Sequence, residues 1–234
     1  MFSYSEIRKL SPIGEFRSWF LVDHICMRIS PFLSAYFIDK KVRPNTITMF
    51  MILSGIVGSV FFACPNGVLK IIGIFFFYAW YVFDCSDGEV AKITKTFSKF
   101  GREMDYMAHL ICHPLMNLAL YFSFLQLDKY NWLLLSIVFI VYISIELVTR
   151  IIIMFSVYCL DTDISKNLCQ ISYFKYLIVQ FTIYPNFILF FPLVYMLDFW
   201  WNINSLYILL VFVSIHVLLY VKQIFHYLAI FYHS

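Results

Sequence analysis

The chain has 234 residues, 62% of them hydrophobic and 13% charged, with a formal net charge of +3. A soluble domain carries about 25% charged and about 45–50% apolar residues, and one of this size cannot hide so much apolar surface from water. These figures exclude a water-soluble fold and predict an all-α, polytopic membrane protein, with membrane lipids rather than nucleic acid as its surroundings.

Aromatic residues reach 21% and read as lipid-facing and packing material. The cysteines (Cys26, Cys64, Cys85, Cys112, Cys159, Cys169) have no C-x-x-C spacing and read as reduced, small apolar side chains. Arg8 and Lys9 are not followed by an apolar run ending in a small-residue cleavage site, so no removable signal peptide is expected.

Residues 1–45 are expected to form an amphipathic juxtamembrane segment. Between Glu15 and Lys41 it mixes Phe16, Trp19, Phe20, Ile25, Met27 and Phe32 with Arg17, Asp23, Arg28 and Lys40. That pattern suits a helix lying among lipid headgroups, broken near Pro31. Pro44-Asn45-Thr46 then supplies a helix start, with proline in the first turn and polar caps beside it. Residues 46–234 are expected to form a six-helix transmembrane domain, with spans near 46–64, 69–94, 101–124, 132–155, 173–197 and 204–229. Each is close to the roughly 17–25 residues a bilayer core demands. Trp200 and Trp201 beside Asn202 suit an interfacial aromatic belt.

The basic residues fall mostly on one side. The N-terminal segment, the loop with Lys92, Lys95, Lys99 and Arg102, the region of Arg150, Lys166 and Lys175, and Lys222 all share a face, against Lys70 and Lys129 on the other. The positive-inside rule therefore predicts a multi-pass protein of the cell (inner) membrane with both termini cytoplasmic.

The second span contains Phe83-Asp84-Cys85-Ser86-Asp87-Gly88-Glu89-Val90-Ala91-Lys92, and the third opens Gly101-Arg102-Glu103-Met104-Asp105-Tyr106-Met107-Ala108-His109. Carboxylates in a span cost roughly 2.5–3.5 kcal/mol each on insertion scales, so these are expected to face a wet cavity. Asp84 and Asp87, three residues apart, share one helix face, which Gly88 and Ala91 extend with almost no side chain. Gly101, Asp105, His109 and His113 recur every four residues and form a second stripe. Three carboxylates and an imidazole then converge on one volume reached from the cytoplasm. Such oxygen ligands suit hard divalent cations, and two of them can clamp a pyrophosphate for displacement at phosphorus.

This stretch resembles the signature of the CDP-alcohol phosphotransferase family, D-x2-D-G-x2-A-R-x8-G-x3-D-x3-D. Asp84, Asp87, Gly88, Ala91, Gly101 and Asp105 match it at the required spacing. Six fixed matches arise by chance on the order of once in ten million placements. Lys92 stands where the family has Arg, and His109 replaces the final Asp. The resemblance implies a transferase of phospholipid biosynthesis. It would move a phospho-alcohol or phosphatidyl group from a CDP-activated alcohol or CDP-diacylglycerol to a lipid, polyol or glycan hydroxyl, releasing CMP. It further implies Asp84, Asp87 and Asp105 as ligands of two divalent cations, Mg²⁺ or Mn²⁺, and a homodimer.

By inference from the family's fourth aspartate, His109 is the general base. Its unperturbed pKa of about 6.5 suits that work. Gly88, Ala91 and Gly101 leave room for the nucleotide, and Lys92 faces phosphate. His113 suits both an orienting role and plain helix packing before Pro114. Arg150, Lys166 and Lys175 suit both a phosphate of the acceptor and topology signalling. Glu103, Asp161 and Asp163 read as loop-facing or solvated charges. A catalytically silent family member acting as a scaffold, and a metal-ion transporter, are the two other classes the residues fit.

Overall fold

The computed structural model describes residues 3–11, 21–160 and 184–233. Every regular element among them is a helix: α1 Tyr4–Leu10, α2 Leu21–Asp39, α3 Pro44–Ala63, α4 Gly67–Thr94, α5 Gly101–Leu125, α6 Trp132–Leu160, α7 Tyr184–Trp201 and α8 Ser205–His233. The expected all-α class holds. Five of these helices (α3, α4, α5, α6 and α8) are long and apolar enough to cross a membrane. The expected span at 173–197 overlaps α7, and its first part lies outside the described residues. The chain divides into two units, Met1–Ser123 with Ile188–Phe190, and Phe124–Phe187 with Phe191–Ser234.

In the first unit, α1 opens with a capping box. Ser3 Oγ accepts from the Glu6 amide and the Ser3 amide donates to Glu6 Oε2 at 2.7 Å, satisfying two end groups that helix geometry orphans. Helix α2 corrects one expectation: it runs through Pro31 without a break. An interior proline costs about 3 kcal/mol. Here the burial of Cys26, Met27, Ser30, Ser34, Ala35 and Phe37 holds the helix together, tertiary packing overriding local preference. Pro44 does take the first position of α3, but Arg43 at the cap makes no side-chain capping bond. Asn45 instead accepts a hydrogen bond from Ser98 Oγ at 3.0 Å, tying the start of α3 to the loop before α5.

Helices α3 and α4 touch backbone to backbone. A Cβ on Gly73 would sit 2.6 Å from the Phe62 amide nitrogen and 2.9 Å from the Gly58 carbonyl oxygen. Only glycine permits that approach, the way small residues let membrane helices close. Gly73→Ala is expected to lower stability by about 1–3 kcal/mol, read as an earlier thermal unfolding midpoint in detergent. An unchanged midpoint would mean the two helices part without penalty. At the same end of the pair, buried Lys70 donates to the Phe62 carbonyl at 2.9 Å and to Ser123 Oγ at 2.8 Å. Leu53, Val60, Val68 and Phe75 lie exposed on these helices, as lipid-facing residues should. Helix α4 ends at Lys95 in a left-handed conformation, φ 55°.

In the second unit, Tyr142 on α6 pairs with His216 Nδ1 on α8 at 3.2 Å, and Arg150 with Glu146 one turn below it. The buried Asp198 carboxylate accepts from Lys129 Nζ, Tyr130 Oη, and the Ser205 amide and hydroxyl. These bonds fix the turn between α7 and α8 to the loop before α6. Desolvation alone would lower the pKa of Lys129, but its bonds to Asp198 outweigh that and raise it. Trp200 and Trp201 are exposed at the end of α7. Cys64 and Cys112 are free thiols.

Candidate active site

The C-terminal half of α4 and the first turns of α3 and α5 surround a cavity of about 560 Å³. It is lined by Pro44, Asn45 and Thr48 from α3, by Asp87, Gly88 and Ala91 from α4, by the loop Thr96–Lys99, and by Gly101, Arg102, Glu103 and Asp105 from α5. The positive ends of the α3 and α5 dipoles therefore border it, an arrangement that favours phosphate. A Cβ on Gly88 would meet nothing within 4 Å, whereas one on Gly101 would sit 2.9 Å from Ser98 Oγ. Gly88 thus keeps open space inside the cavity, and Gly101 lets the loop close onto α5.

Against this cavity, ligand atoms of Asp84, Asp105 and His109 all lie within 4.8 Å of one another. His109 Nε2 is 3.3 Å from Asp84 Oδ1 and 3.6 Å from Asp105 Oδ1. Its other ring nitrogen, Nδ1, is 3.1 Å from Nε2 of His113, which is fully buried. Asp87 stands outside that cluster. It faces the cavity and accepts a hydrogen bond from Thr48 Oγ1 at 2.7 Å. Carboxylates gathered around one point, with an imidazole beside them, fit a divalent cation.

Other candidates fall elsewhere. Lys92 is exposed and does not line the cavity, whereas Lys99 and Arg102 do. Glu103 lines it too. Arg150 belongs to the second unit, where it pairs with Glu146 and stands 5.7 Å over the Tyr184 ring. Asp161, Asp163, Lys166, Cys169 and Lys175 lie outside the described residues.

Three further residues carry no mark of their role in the sequence pattern beyond helical spacing. Trp80, fully buried, sets its ring edge-on to both His109 and His113, with centroids 5.7 and 5.5 Å away. It precedes Asp84 by one helical turn, and that i, i+4 spacing was the available signal. Thr48 and Glu89 are the others. Glu89 turns its back on the cavity.

The family model for CDP-alcohol phosphatidyltransferase matches residues 41–233. The chain belongs to that family, whose members transfer a phospho-alcohol from a CDP-alcohol and use divalent metals. A comparison with curated proteins returns no match.

Proposed function

We propose that this chain is a membrane-embedded transferase. It moves a phospho-alcohol or phosphatidyl group from a CDP-alcohol to the hydroxyl of a lipid, polyol or glycan acceptor and releases CMP. The gathering of Asp84, Asp105 and His109 within 4.8 Å beside the cavity that Asp87 and Gly88 line carries this reading. Asp84, Asp87 and Asp105 would hold two divalent cations, Mg²⁺ or Mn²⁺. When bound, these neutralise the pyrophosphate and the charge that develops in the displacement. Lys99 and Arg102 supply further positive charge at the cavity wall, and the α3 and α5 termini orient the phosphates.

His109 takes the acceptor proton at Nε2. His113 fixes the ring by pairing with Nδ1; with Nδ1 as the donor of that bond, the lone pair of Nε2 is turned into the site. A base steered by a third group is the triad arrangement in general form. The acceptor oxygen then bonds to the β-phosphorus while the bond from that phosphorus to the bridging oxygen breaks, and CMP leaves carrying that oxygen. The imidazolium that forms lies against Asp84 and Asp105. We place the site on the cytoplasmic face, from the excess of Lys and Arg there.

The test is CMP release by purified protein in lipid vesicles, with a panel of CDP-alcohols and acceptors and either metal. Gly88→Ala serves as the companion variant. Its new methyl meets no protein atom, so the variant is expected to fold normally while donor binding weakens about tenfold or more. Silence of the wild type across the panel would sink the transferase reading in favour of a silent scaffold.

A further inference from the structure

Glu89 sits inside the signature stretch, yet nothing in the proposed chemistry uses it. At 3.6 residues per turn it lies about 170° round α4 from the shared face of Asp84 and Asp87. It is 6% exposed, and both of its oxygens are taken. Oε1 accepts from Arg8 Nη1 at 2.8 Å and from Ser30 Oγ at 2.8 Å, and Oε2 accepts from Ser34 Oγ at 2.7 Å. Arg8 Nη2 also reaches Ser30 Oγ at 3.3 Å. Ser86, one turn earlier on α4, donates to the Ser30 carbonyl at 3.4 Å. All of Glu89's partners therefore come from α1 and α2, the segment that the membrane domain does not need for spanning.

A buried ion pair is a poor source of stability, because desolvation offsets most of its attraction. What it supplies best is register. Gly73 and Lys70 fix the rotation of α4 near its start; at its far end, where the signature lies, a buried carboxylate on the rear face held by an arginine and two hydroxyls does the same. Rotating α4 by one residue's worth, about 100°, would carry Asp87 off the cavity and Asp84 away from Asp105 and His109. It would also strand Glu89 away from Arg8.

We propose that Arg8 and Glu89 are positioning residues, with α1 locking the rotational setting of α4 that presents its aspartates to the metals and donor. The N-terminal segment is then a working part of the enzyme and not only a headgroup anchor. The proposal rests on the transferase reading above.

Arg8→Ala, Arg8→Lys, the double variant Arg8→Ala/Glu89→Gln and the exposed-site control Lys9→Ala test it in lipid. Two quantities are read per folded molecule: Mn²⁺ binding by electron paramagnetic resonance, which needs no turnover, and kcat for CMP release. A misplacement of about 1 Å costs about 10²-fold in rate. Arg8→Ala is therefore expected to lower kcat by about 10–100-fold and to weaken Mn²⁺ binding, with Arg8→Lys in between and Lys9→Ala unchanged. The double variant removes the stranded charge and recovers thermal stability, yet stays slow. That separates positioning from mere folding, and it keeps the test open should Arg8→Ala misfold. The proposal is overturned if Arg8→Ala keeps full kcat and Mn²⁺ affinity, or if the double variant recovers activity together with stability. A wild-type chain that neither binds Mn²⁺ nor releases CMP overturns the transferase reading itself, and this proposal with it.

Discussion

Asn in place of Asp105 is expected to slow CMP release by about 10²–10³-fold while leaving the protein at least as stable as before. The two signs come from one cause. Asp84, Asp87 and Asp105 border the same small region, and like charges this close repel when nothing positive stands between them. Removing one charge relieves that repulsion. The Asp105 side chain is also 44% exposed, so an amide of equal size fits without a desolvation penalty. A carboxylate that only knits helices together would behave oppositely, since its loss would lower stability and leave no chemistry to lose. CMP release and thermal unfolding on the same preparation decide the matter. A variant that unfolds early and turns over normally per folded molecule would make Asp105 a structural residue.

His109→Ala is expected to lower kcat by about 10²–10⁴-fold with a small change in KM, because a general base acts in the transition state more than in binding. His113→Ala should cost less, about tenfold to a hundredfold, as an orienting partner does. His109→Asp puts a carboxylate at the same helical position and should keep activity within about tenfold of wild type, since Asp also serves as a base. A His109→Asp variant that turns over where the wild type is silent would mean that the imidazole blocks the site by occupying the place between Asp84 and Asp105. An unchanged kcat in His109→Ala would move the base to another group. These are steady-state measurements on vesicles with a saturating donor.

Much of this site was legible from spacing alone. Asp84, Asp87, Asp105 and His109 announce themselves because charged groups are scarce in an apolar chain and helical periodicity puts them on shared faces. The α3, α4, α5, α6 and α8 spans were equally plain, since length and hydropathy set them. What could not be read was partnership across elements. Glu89 looked like one more residue between signature positions, and only the approach of α1 and α2 gives it a role. Lys92 was assigned to phosphate by its position in the motif, yet the exposed end of α4 turns it outward, and Lys99 and Arg102 in the following loop take the cavity wall. Trp80 resembles any other aromatic in a span until His109 and His113 are seen at its edge. Pro31 shows the converse error, where a strong local signal for a break was outweighed by the apolar contacts of α2.

Lys70 carries a consequence for how the protein reaches the bilayer. Its ammonium is fully buried, satisfied by the Phe62 carbonyl at the end of α3 and by Ser123 near the end of α5. An unpaired lysine costs roughly 2.5–3.5 kcal/mol at the centre of a span on the gentler insertion scales, and less in a first turn, where its stem reaches toward the headgroups. Helix α4 entering alone would meet that smaller cost, whereas α4 entering with α3 already beside it meets a waiting carbonyl. Only the short turn through Asn66 separates the two helices, and Gly58 and Gly73 let them close at once. During synthesis, α3 and α4 are therefore expected to leave the translocation channel as a hairpin, with α5 sealing the charge on arrival.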